Sequence, residues 1–275
     1  VFQYTAIVSE QDRLSYSYPE YLERNVLLSG TDYISIYDKT GSPAIRNRFT
    51  WSVSSFDEMP DIHLLNGYDF VGKLTTGNES SRTDCVWYEG SGDGFAIVSH
   101  RRDLRVERKA YGAVVEAEGF KDTLFRSQYP LRGVHDGVAF EGTAGAIREF
   151  EGGAFEVALI QGRHIRAKGV HLASENGKTG ISLGVASSGE IAGQVSSLSE
   201  DRIRVDFEGL PEGGLYLNSA RCAPDEDGMY RIAPGEYAVQ WVGAQDAPVP
   251  ATPQIEQVVY GDGACEVRCR KSAGA

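Results

Sequence analysis

The chain has 275 residues, 41% hydrophobic and 24% charged, with a formal net charge of −12. Those proportions belong to globular chains and exclude disorder. The acidic balance excludes a nucleic-acid binder, which needs a basic face for phosphates, and no apolar run of about eighteen residues is present to form a helical membrane span.

The first ten residues, VFQYTAIVSE, begin inside a strand-like pattern without an initiator Met. This opening, together with the unfinished end described below, predicts an internal segment of a larger multidomain protein. YLERNVLLSGTDYISIYDKTG reads as two strands around a Ser-Gly-Thr-Asp turn. AIRNRFTWSVSS predicts a further strand, and FDEMPDIHLLNGYDFVGKL breaks at Pro60 and resumes. The stretch from Cys85 to Gly119 carries two hairpin signals, Gly90-Ser91-Gly92-Asp93-Gly94 and Gly112. Long, aromatic-rich strands with few turns suit a large twisted sandwich.

After Pro130 the Gly-bounded runs follow one another more closely, from FEGTAGAIREF through AFEVALIQGRHIRAKGVHLAS and RIRVDFEGL to GEYAVQWVG. Such spacing predicts a compact sandwich. Ala247 to Pro253 holds three prolines in seven positions and reads as a linker. Beyond it lie two alternating runs around Gly261-Asp262-Gly263, too little to bury a core. The predicted class is therefore all-β. A large antiparallel, supersandwich-like β-sandwich covers 1–135, a smaller β-sandwich covers 136–245, and 246–275 is a linker with the first strands of an incomplete module.

The four cysteines, Cys85, Cys222, Cys265 and Cys269, have no Cys-x-x-Cys spacing and no His pair beside them. Cys265 and Cys269 fall on one predicted strand, roughly 13 Å apart at strand rise, too far to bond each other. Free, half-buried thiols are expected. No cofactor and no metal are expected either.

Two stretches resemble known families. PATPQIEQVVYGDGACEVRCRKSAGA is similar to the first two strands of a fibronectin type III module, a common appendage of secreted bacterial polysaccharide-degrading enzymes. Residues 1–50 resemble part of the C-terminal β-domain of heparinase II/III-like polysaccharide lyases. The likeness is carried by a Tyr-rich strand and then by Arg24, Val26-Leu27-Leu28, Asp32-Tyr33, Ile34-Ser35-Ile36-Tyr37 and Asp38. It implies the β portion of a secreted or periplasmic lyase acting by β-elimination on an acidic, uronate-containing polysaccharide. In that family the catalytic Tyr, Asn or His lies in a helical toroid and an early His-containing strand. This chain has no His-x-His or His-Asn pair to match them. The resemblance thus implies catalytic residues upstream of Val1 and a chain inactive alone, with the acidic polysaccharide and the remaining domains of the parent protein as partners. The competing readings are accessory β domains of a glycoside hydrolase, or a non-catalytic carbohydrate-binding or adhesive segment.

SHRRDLRVERK, Ser99 to Lys109, concentrates cations in an otherwise acidic chain. Arg pairs carboxylates and sulfates bidentately, so His100, Arg101 and Arg102 are the expected substrate-binding residues. On an extended strand their alternation would place basic groups on both faces. The plainer reading is a solvated strand whose Asp103 and Glu107 neutralise neighbouring arginines. His63, His135, His164 and His171 lack metal spacing, although His164 and His171 flank a hairpin, and His63 is a lesser cleft candidate. Asp225-Glu226-Asp227-Gly228 reads as a turn, with oxygen ligation of calcium as its alternative. Tyr4, Tyr16, Tyr18 and Tyr21 could stack on sugar rings, although Tyr is also simply a good strand residue.

Overall fold

A computed structural model describes residues 2–9, 22–40, 46–55, 60–78, 81–209, 213–243, 254–261 and 264–270. Over them the chain is all-β, as expected, with antiparallel sheets and no closed barrel. It divides into two compact units, Val1–Arg132 with Gly142–Glu151, and Gly133–Glu141 with Gly152–Ala275. The two units therefore interleave between residues 133 and 151, where a single boundary after residue 135 was expected.

The strands of the first unit, in chain order, are β1 (Phe2–Ser9), β2 (Leu22–Ser29), β3 (Tyr33–Thr40), β4 (Arg46–Ser55), β5 (Asp61–Leu64), β6 (Asp69–Asn78), β7 (Ser81–Ser91), β8 (Gly94–Ser99), β9 (Arg105–Lys109) and β10 (Gly112–Ala117). The long strand β11 (Phe120–His135) runs on into the second unit, and β12 (Val138–Phe150) begins there and returns to the first. One sheet has the order β1-β2-β3-β8-β5, a second β4-β7-β6, and a third run pairs β12-β11-β10-β9. The β2–β3 hairpin is the one read from the sequence, with Ser29 opposite Tyr33. Gly112 likewise closes the β9–β10 hairpin against Lys109.

The turn after Gly90 does not make a hairpin. β7 pairs with β4 and β6, whereas β8 pairs with β3 and β5, so this Gly-rich turn carries the chain from one sheet to another. The reason lies in β8, whose six residues are all buried. One side of its sheet meets β7, through Ile36, Ile62, Leu64 and Ala96 packed with Val86 and Tyr88. The other side meets β11, where the Tyr33 and Phe120 rings stack at 6.3 Å. A strand covered on both faces must be apolar throughout, and GFAIVS satisfies that.

In the second unit the strands are β13 (Phe155–Ala167), β14 (Val170–Ser174), β15 (Gly180–Val185), β16 (Ile191–Ser197), β17 (Asp201–Phe207), β18 (Gly213–Leu217), β19 (Ala220–Arg221), β20 (Tyr230–Ile232) and β21 (Gly235–Gly243). β13 belongs to two layers. Its first half pairs with β15, leading to β16, β21, β18 and β19, and its second half pairs with β14, leading to β17 and β20. Ile165, Leu172, Ile181, Leu183, Ile203 and Leu215, none more than 1% exposed, form the filling, and Phe207 meets Trp241 edge-on at 5.2 Å. The hairpin β22 (Gln254–Gly261) and β23 (Ala264–Arg270) forms a sheet of two strands. It holds Cys265 and Cys269 on one strand, as expected, while Cys85 and Cys222 are half-buried free thiols.

Candidate functional site

The segment expected to carry substrate-binding cations on an extended strand is not a strand. β8 ends at Ser99, His100–Leu104 is bend and turn, and β9 begins at Arg105. The turn is held locally. Ser99 Oγ accepts from Arg101 N at 2.9 Å, and Arg101 Nε and Nη2 grip Asp103 at 2.9 and 2.6 Å. A side chain that bonds two residues ahead competes with strand pairing. Arg101 Nη1 also reaches Asp32 at 2.9 Å, so its fork is committed to protein carboxylates, and that guanidinium holds Asp103 well below the usual carboxylate range. Arg102 pairs with Asp61 at 2.6 Å, and His100 is exposed. Glu107 takes Lys109.

Beneath this turn lies an ionic cluster that the sequence did not announce. Arg148 on β12, its side chain 5% exposed, donates to both oxygens of Asp122 at 2.7 and 2.9 Å and to Asp32 at 2.9 Å. Its guanidinium lies 4.0 Å from the centre of the Phe120 ring. Ser29 and Tyr33 hydroxyls also donate to Asp122. Burial pushes the Asp122 carboxyl up while Arg148 and the two hydroxyls pull it back; burial likewise drives the Tyr33 hydroxyl well up. Every polar group here is spent on another, which gives the cluster a structural role.

The second unit presents a different arrangement. In β14, β17 and the second half of β13 alternate residues point inward, as the burial pattern records. The outward set is His164 and Arg166 on β13, His171 on β14, Arg202, Arg204 and Asp206 on β17, and Arg231 on β20. Register aligns them in rows: Arg166, His171 and Asp206 lie directly opposite one another across three strands, as do Arg202 and Arg231 across two. Four arginines and two histidines thus share one face of an acidic chain. Like charges directly opposite destabilise a sheet. Arg202 is compensated by Asp225 and Asp227, each at 2.7 Å, while Arg231 is exposed with no carboxylate partner among the described residues.

Arg202 also answers the calcium alternative. Asp225 Oδ1 accepts from the Asp227 and Met229 amides and its Oδ2 from Arg202, so the acidic loop is a capped turn neutralised by arginine. The Met229 amide foremost, then Arg202, lowers the Asp225 pKa. Among the described residues no group of three or more His, Cys, Asp or Glu side chains is placed to hold a metal ion.

At the end of the cationic face opens a cleft of about 580 Å³, bordered by Glu175, Asn176, Glu200, Arg202 and Arg231. Its floor is fixed by Asp201, 8% exposed, which accepts from Ser174 Oγ and Thr179 Oγ1 at 2.6 Å each and from the amides of Asn176 and Arg202. Ser174 is 1% exposed and donates to a carboxylate, which makes it a fixed strut and no nucleophile. Asp201→Ala would strand two hydroxyls and two amides and is expected to cost about 2 kcal/mol, with Asp201→Asn costing less. Urea midpoints of the second unit read this directly; equal midpoints for wild type and Asp201→Ala would remove Asp201 as the keystone.

His164 and His171 do flank the β13–β14 hairpin and meet edge-on, ring centres 6.2 Å apart. His63 sits half-buried in the four-residue β5. Tyr4, Tyr16, Tyr18 and Tyr21 have side chains outside the described residues. The outward face was legible only in part. RIRVDF and HIRAKGVH show the alternation, but the pairing that aligns them spans β13, β14, β17 and β20. Compared with known protein families, curated proteins and solved structures, the chain matches none.

Proposed function

We propose that this chain is the glycan-holding β portion of a secreted or periplasmic polysaccharide lyase, binding an acidic polysaccharide while the elimination chemistry is carried elsewhere in the parent protein. The supporting observation is the outward face of β13, β14, β17 and β20 beside an open cleft, on which Arg166 and Arg231 have no carboxylate partner among the described residues, in a chain of net charge −12. An acidic protein must gather cations locally to attract a polyanion. The lyase part of the reading rests on the resemblance of residues 1–50. In such a lyase a base removes the proton α to a uronate carboxylate, and donors stabilise the enolate that forms.

The reading locates the polymer on the second unit in preference to His100, Arg101 and Arg102, because the Arg101 fork is already filled by Asp103 and Asp32. Its test is calorimetric titration of the whole chain with a uronate polymer at low salt. Wild type is expected to bind, more weakly as salt rises, since these groups are exposed. Arg166→Ala with Arg231→Ala should weaken binding roughly tenfold or more, two charge-assisted contacts having been lost. Arg101→Ala with Arg102→Ala is the comparison, and a larger loss there would move the contact to the first unit. Incubation of the chain with the same polymer should yield no unsaturated product; turnover would overturn the division between holding and chemistry.

A further inference from the structure

On the outward face, one ring nitrogen stands between two partners of opposite kind. His171 Nδ1 is 3.3 Å from Arg166 Nη2 and 4.0 Å from Asp206 Oδ2. In the neutral ring that accepts from Arg166, Nδ1 is bare and the proton sits on Nε2. Protonation puts a hydrogen on Nδ1, ends its acceptance from Arg166, and favours Asp206. Each partner lies directly opposite His171 on a flanking strand. We infer that Arg166 and His171 form an oxyanion subsite, taking a sulfate or carboxylate group, that is completed when His171 gains a proton.

The charges facing His171 support this. From β13 come Arg166 and, diagonally, His164, whose Nδ1 is 3.9 Å from Glu141 on β12. From β17 come Asp206 and Arg204, paired with each other at 3.1 Å. Arg204 thus occupies the carboxylate nearest His171, and Arg166 has no carboxylate partner among the described residues. Burial first, then the Arg166 charge, keeps the His171 ring below its ordinary value, which favours the neutral ring while the subsite is empty. An incoming oxyanion reverses that balance. It pairs with the Arg166 guanidinium, stabilises the imidazolium, and gains a second donor on the neighbouring strand. Directly opposite side chains stand about 5 Å apart at Cβ, a spacing from which two donors can converge on one oxyanion. Binding therefore takes up a proton, and affinity rises as pH falls.

The identification of the oxyanion's carrier as an acidic polymer rests on the proposed function; the subsite itself does not. The experiment has two arms. In the first, the ring signals of His171 in the whole chain are followed by NMR across pH with and without inorganic sulfate. Sulfate should raise the His171 pKa, and Arg166→Ala should abolish the rise. A His171 titration indifferent to sulfate, or a rise that survives Arg166→Ala, overturns the subsite. In the second, affinity for a uronate polymer, with and without sulfate esters, is compared near pH 5.5 and pH 7.5. Tighter binding at the lower pH is expected, by at most about tenfold for each unit by which the oxyanion raises the His171 pKa, and His171→Gln should flatten the profile. A sulfate response without polymer binding overturns the polysaccharide reading alone. Polymer binding with the same pH profile in His171→Gln overturns the subsite alone. A preference for the sulfated polymer identifies the sulfate ester as the group taken, and equal affinities identify the carboxylate.

Discussion

Arg148→Met is expected to lower the stability of the first unit by about 3–5 kcal/mol, the cost of leaving a buried charge without its partner. Asp122 is wholly buried, and its two strongest donors come from Arg148; Ser29 and Tyr33 cannot neutralise it alone. The loss also removes the guanidinium from the Phe120 ring, worth about 0.5–2 kcal/mol. A drop of about 10 °C or more in the melting transition should follow. The second substitution Asp122→Asn deletes the stranded charge while keeping an acceptor for the hydroxyls, and should restore a good part of the loss. A carboxyl raised in the folded state takes a proton more readily there than in the unfolded chain. The deficit of Arg148→Met should therefore shrink as pH falls through that raised value. A melting transition unmoved by Arg148→Met would mean that the cluster is held by its neighbours.

Gly112→Ala should cost on the order of 3 kcal/mol or more, combining backbone strain with overpacking. Gly112 has φ of +146°, and a Cβ there would stand 2.0 Å from the Leu124 carbonyl oxygen and 2.9 Å from the Arg126 amide nitrogen. Both are backbone atoms of β11, on either side of Phe125, the residue directly across the ladder from Gly112. They cannot swing aside as the end of a side chain could. Gly119→Ala is the control: φ is +90° there, but nothing lies within 4 Å of the added carbon. Strain alone, about 1–2 kcal/mol, is expected. Comparable melting temperatures for the two variants would show that β10 and β11 can separate at Gly112 without loss.

What could be read from the sequence was local. Alternation around Ser29–Asp32 specified the β2–β3 hairpin, and Gly112 specified the turn before β10. The Gly-rich turn at residues 90–94 was just as plain, yet its chemistry says only that the chain reverses, not which sheet receives it. The segment from His100 to Leu104 failed for a different reason. Its residues suit a strand, but Ser99 and Asp103 bind Arg101 in a turn. Arg148 sits within the unremarkable run AIREF, and nothing in that run announces an arginine whose partners lie 26 and 116 residues away. The cationic face of the second unit is written in four separate strands. Each contributes one to three residues, so no single window of sequence contains the site.

The passage of β11 and β12 through both units bears on the order in which the chain can fold during synthesis. Gly142–Glu151 completes the first unit, yet it is made only after residues 133–141, which belong to the second. A chain emerging from the ribosome cannot finish one unit and then begin the next. When residue 135 has been added, Asp122 is present and Arg148 is not, so the first unit holds an unpaired carboxylate until the return strand arrives. The nascent first unit must wait for sequence that lies beyond part of its successor, and a chain ended at residue 135 would wait indefinitely.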